Sequence, residues 1–78
     1  MVLPIGIMKT SNSSQFGASL HARRNELGIT QEAVADVIGV NRRVIGELER
    51  GKTTVQLKIA LDAARALGLD VRLDPRAR

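Results

Sequence analysis

Apolar residues recur every three or four positions along residues 28–51, GITQEAVADVIGVNRRVIGELERG. Val34, Ala35 and Ile38 fall on one face of a first helix, and Ile45 and Leu48 on one face of a second. Thr30 and Asn41 are residue types that cap helix N-termini, and Glu32 sits in a first turn, where the helix dipole favours a carboxylate. Gly28 ends a preceding helix, Gly39 closes the next with Val40 as an apolar anchor, and Gly51 stops the last. The pattern predicts two short helices joined by a tight turn, the layout that places one helix in a DNA major groove. An ordinary helical hairpin in a small bundle has the same periodicity, so the pattern alone leaves both open.

Upstream, a helix is predicted from a cap at Ser13 or Ser14 to Leu27, with Phe16, Leu20 and Leu27 as its apolar stripe. Arg24 lies on that stripe. A charge on an apolar face must find a partner or reach water. Glu49 has the matching problem, one turn after Ile45 and beside Leu48. The two are expected to pair and tie the first helix to the third; the alternative is that both snorkel to solvent.

Downstream, residues 52–54 form a polar connection, and Thr53 with Gln56 has the spacing of a capping box. Leu57, Ala60, Leu61, Ala64 and Leu67 then repeat at helical spacing up to Gly68. Residues 69–74 change period. Leu69, Val71 and Leu73 alternate with polar residues, as in a half-buried strand, until Pro75. A lone strand leaves its backbone groups unpaired, and only residues 5–8 offer another strand-like stretch. A strand from a second copy across a two-fold axis is the simplest expected partner; an irregular tail is the alternative. The expected organisation is an arm or short strand over 1–13, a mainly α domain of four to five helices over 14–68, a dimerisation strand over 69–74 and a tail over 75–78.

Composition narrows the chemistry. A chain of 78 residues makes one small domain with a modest core. It has no cysteine and one histidine, His21, so neither a disulfide framework nor a thiolate metal site is available. No paired carboxylates, framed nucleophile or metal cluster emerges; neither an enzyme nor a cofactor is expected. Phe16 is the only aromatic residue, which argues against stacking bases on an aromatic platform.

Twelve Lys and Arg against eight Asp and Glu give a net charge of +4, a balance that suits a polyanion. The adjacent basic pairs are Arg23-Arg24 and Arg42-Arg43. The second falls at the start of the later helix, where the dipole disfavours cations. An anionic partner fits two arginines there better than a merely solvated helix start. The opening MVLPIGIM is apolar, but too short to span a bilayer and without a basic leader region. A cytoplasmic chain without a membrane partner is therefore expected.

Leu27-Gly28-Ile29-Thr30-Gln31, Ala35, Gly39, Asn41-Arg42-Arg43, Ile45, Leu48-Glu49-Arg50-Gly51-Lys52 and the closing Ala66-Leu67-Gly68-Leu69 together resemble the Xre (Cro/C1-type) helix-turn-helix family, over roughly residues 15–69. The strand-like tail resembles, more loosely, that of HipB-like antitoxins. The resemblance implies a lambda-repressor-like domain with a short C-terminal β-strand pairing across a homodimer. It implies a repressor of double-stranded DNA at a palindromic operator, with a HipA-type kinase toxin as partner. Arg42, Arg43, Gly46 and Glu47 would read bases. Thr30, Gln31, Asn41 and Lys52 would meet phosphate, Arg24 and Glu49 would form the family's structural ion pair, and Leu69, Val71 and Leu73 the dimer strand. A stand-alone or phage-type regulator and a module that binds only protein are the other readings.

Overall fold

The computed structural model describes residues 12–76. Four helices are found among them: α1 (Ser13–Leu27), α2 (Gln31–Ile38), α3 (Arg42–Glu49) and α4 (Leu57–Ala66). The strand-like residues 5–8 lie outside the described residues, as does nearly all of the arm expected over 1–13.

Helix α3 packs against both α1 and α2, and α2 packs against α4. Leu20, Val34, Ala35, Ile45, Leu48, Ala63, Ala64 and Leu67 form the core. Ile45 and Leu67 are its most deeply buried large side chains, each worth about 1.5–3 kcal/mol of burial. Three of the eight core residues are alanines. They let the short helices approach closely enough to share one small core.

Local chemistry sets the helix ends. The Thr30 hydroxyl accepts from the Ala33 amide at 3.1 Å, and the Asn41 side chain accepts from the Arg43 amide at 2.8 Å. Gly39 turns the chain between α2 and α3 with φ 77°, a left-handed conformation that glycine adopts without steric cost. Val40 donates its amide to the Ala35 carbonyl at 3.0 Å. The turn is thereby closed by the backbone of α2.

Several expectations change. Asn12, not Ser13 or Ser14, caps α1, its side chain accepting from the Gln15 amide at 2.9 Å. Ser13 is already helical. The capping box of Thr53 and Gln56 does not form, because α4 starts only at Leu57 and Gln56 is its N-cap without a side-chain bond. Leu57 and Leu27 are exposed: helical spacing marks a stripe, but these residues sit at helix ends, beyond the reach of the core. No strand occurs among the described residues, and residues 69–76 have no regular secondary structure. A strand exists only as part of a ladder, and nothing in this single chain pairs with residues 69–74. Leu69 still packs on the core, its amide bonded to the Ala64 carbonyl at 2.9 Å, whereas Val71 and Leu73 are exposed.

Two contacts hold α1 that periodicity does not signal. Gly17 is buried where α1 crosses the C-terminal end of α3. A Cβ there would collide with the Leu48 carbonyl oxygen and stand 2.6 Å from that of Glu49. Arg23 reaches the end of α4 and donates from Nε to the Leu67 carbonyl at 3.0 Å, satisfying a carbonyl in the turn that ends that helix.

Candidate DNA-binding face

Glu49, the last residue of α3, gathers three helices. Its Oε2 accepts from Arg24 Nε at 2.7 Å, and its Oε1 from Arg24 Nη2 at 3.0 Å. This two-pronged geometry is the strong form of an arginine–carboxylate pair. The third Arg24 nitrogen donates to the Ile29 carbonyl at 2.9 Å, so the guanidinium also fixes the chain between α1 and α2. His21 Nδ1 lies 2.9 Å from Glu49 Oε1, and Gln31 Nε2 donates to the same oxygen at 3.0 Å.

The Glu49 side chain is only 5% exposed and that of Arg24 11%. Burial alone would push the Glu49 carboxyl up. The hydrogen bonds from Arg24, His21 and Gln31, with the Arg24 charge, outweigh it and hold the carboxyl down at about 2. Arg24 is raised, through its bond to Glu49.

Gln31 carries this network to the surface. With its amide nitrogen on Glu49, its Oε1 faces outward and accepts from Arg42 Nη1 at 3.1 Å. The chain Arg24–Glu49–Gln31–Arg42 thus runs from the buried ion pair to the first residue of α3. Arg42 and Arg43 are both exposed, and no acidic residue occupies the first turn of α3.

The remaining candidates occupy different settings. Gly46 is buried beneath the side chains of Gln31 and Arg50. A Cβ there would stand 3.5 Å from Gln31 Oε1 and 3.3 Å from Arg50 Nη1. Gly46 therefore offers a seat for two polar side chains rather than a contact of its own. Glu47 Oε2 accepts from Lys52 Nζ at 3.2 Å. An exposed pair of this kind contributes at most about 1 kcal/mol, so Lys52 can exchange it for a phosphate. Thr30 and Asn41 already use their side-chain oxygens as caps, leaving the first-turn amides of α2 and α3 beside them for an anion.

Arg50 was not singled out by sequence reasoning. It lies two helical turns from Arg42 through Gly46, and that four-residue spacing is the signal that marks it. Among the described residues, no group of three or more His, Cys, Asp or Glu could hold a metal ion.

A helix-turn-helix family model matches residues 20–73, spanning all of α2, α3 and α4 and most of α1. The chain belongs to the Xre-type helix-turn-helix family. An HTH-type transcriptional regulator of Methanothermobacter thermautotrophicus is 45% identical over 49 residues, 63% of this chain and 71% of that one. The regulator YazB of Bacillus subtilis is 35% identical over 54 residues, 69% and 78% of the two chains. Among solved structures, HipB bound to an O4 20mer superimposes with a TM-score of 0.81 at 22% identity, over 88% of this chain and 97% of that one. A HipA–HipB–O2–O3 complex gives 0.82 at 22% identity, over 88% and 97%. These two show a shared fold.

The chain is accordingly a DNA-binding helix-turn-helix transcriptional regulator. Within such a fold α2 and α3 are the two helices of the motif, and α3 is the one offered to the major groove. Among the described residues, no helix is long and apolar enough to cross a membrane.

Proposed function

We propose that this chain is a dimeric, sequence-specific repressor that reads double-stranded DNA with Arg42 and Arg43. The observation that carries this reading is the Arg42 side chain, exposed at the start of α3 yet held by Gln31, which is itself anchored on Glu49. An arginine fork set in advance loses less freedom on bonding guanine O6 and N7 together. Arg50 and Lys52, with the first-turn amides of α2 and α3, meet the backbone phosphates and set the register. Glu47 neutralises Lys52 until DNA arrives, and Gly46 leaves room for the Gln31 and Arg50 side chains.

Arg42→Ala tests base reading in a gel shift. It should lose roughly tenfold or more on the operator and much less on random DNA. Equal losses on both would refute it.

In the proposed dimer, residues 69–74 of two copies pair as strands through Leu69, Val71 and Leu73, giving an inverted-repeat operator with half-sites about one helical turn, or a multiple, apart. The likeness in fold to HipB, over nearly the whole of that chain, supports a role as the antitoxin of a HipA-type kinase toxin. Copurification of a kinase from the native source would support that role. A regulator that purifies alone and still represses would favour the stand-alone reading, which the curated relatives, described as transcriptional regulators, also support.

A further inference from the structure

A groove of about 300 Å³ opens between the first turn of α1, the end of α3 and the start of α4. Phe16, Leu48, Val55, Leu57 and Ala60 line it, and Leu57 is 72% exposed on the first turn of α4. Lys52 and Thr53 stand on the same groove wall, and the core does not use this leucine. Asn12 lies on the groove wall, so the chain enters the described structure at the groove itself.

Eleven residues precede Asn12. They open with MVLPIGIM, which places Val2, Leu3, Ile5, Ile7 and Met8 in seven positions without one charge, followed by the polar Lys9-Thr10-Ser11. Three residues span up to about 10 Å, roughly the diameter of one helix. Met8 and Ile7 can therefore reach the groove from Asn12. An apolar cavity of about 150 Å³ accepts a benzene-sized group, so the groove has room for two side chains of this class. A segment without cations gains nothing from DNA phosphate, whereas an apolar groove at its own root removes it from water.

We propose that residues 2–8 dock in this groove of their own chain and cover Leu57. This intramolecular clasp ties the N-terminal segment to α4 and is independent of the DNA-reading assignment.

Phe16 is the one aromatic residue of the whole chain and lines the groove. Any ring-current shift on an N-terminal methyl therefore reports the contact. In methyl NMR of the full chain, the Ile5, Ile7 or Met8 methyls should move upfield and show cross-relaxation to the Phe16 ring, unchanged on dilution. A chain lacking residues 2–8 should melt roughly 4–8 °C lower. Leu57→Gln should lower the melting temperature of the full chain but scarcely that of the shortened one, because the two changes remove one contact. Unshifted N-terminal methyls, additive losses, or contacts that appear only at high concentration or only with DNA would overturn the proposal, the last two pointing to a second copy or to DNA as the occupant.

Discussion

Glu49 carries more of the architecture than any other polar residue, and its chemistry gives a pH signature. Its carboxyl is lowered from an ordinary 4.5 to about 2. A depressed carboxylate stabilises the folded state in full above the unfolded value and loses that contribution as pH falls toward the folded one. We expect stability to drop between pH 4.5 and about 2, by an amount on the order of 3 kcal/mol at most. Glu49→Gln should flatten that part of the acid-unfolding curve, and its melting temperature should be lower at neutral pH. Gly17 offers an opposite lesson. Helix propensity alone predicts that Gly17→Ala in the body of α1 gains about 1 kcal/mol. The backbone carbonyls of Leu48 and Glu49 block the added methyl, and forcing atoms into packed space costs about 1–3 kcal/mol, occasionally more. The clash involves main chain that cannot swing aside, so it should win. Thermal unfolding of Gly17→Ala should show a lower melting temperature; a rise would mean that α1 and α3 can separate at little cost.

At the scale of elements, the helix-turn-helix is legible because its signals are local. Thr30 and Asn41 cap, Gly39 turns, and the alternation of apolar and polar positions assigns the inner faces. Asn41 joins this local chemistry to function, since it caps the helix whose first two residues are Arg42 and Arg43. Asn41→Ala should cost about 0.5–2 kcal/mol of stability. It should also weaken operator binding, because the first turn of α3 frays where the arginines are displayed. Asn41→Ser, which keeps a capping oxygen, should restore both; weakened binding with unchanged stability would instead point to a direct DNA contact. The start of α4 shows where local signals fail. Thr53 and Gln56 have capping-box spacing, yet the chain stays irregular through Gln56, with Val55 packed against the core and the helix beginning at Leu57.

For the molecule as a whole, the undecided element is the C-terminal segment. Leu69 is anchored on the core and Arg23 holds the turn that precedes it, while Val71 is about half exposed and Leu73 nearly fully so. Apolar residues so disposed suit the proposed pairing with a second copy. Proline has no amide to donate to a ladder, so Val71→Pro should shift the chain toward monomer in sedimentation. It should also weaken operator binding far more than half-site binding. A variant that stays dimeric would exclude strand pairing through residues 69–74.

The order of residues alone determined the four helices, the caps Thr30 and Asn41 and most of the inward faces, because each rests on contacts a few residues apart. It also marked Arg24 and Glu49 as charges in need of partners, since each interrupts an apolar stripe. The tertiary structure decided what lies across the chain. It showed that His21 and Gln31 share Glu49 with Arg24, that Gln31 thereby aims at Arg42, and that Gly46 lies under Gln31 and Arg50. It also showed that Gly17 is the point where α1 can touch the backbone of α3. Apart from Gly46 and Arg50, one helical turn from each other, these contacts join residues 11 to 32 positions apart, and no local spacing encodes them; they exist only once three helices close around one small core.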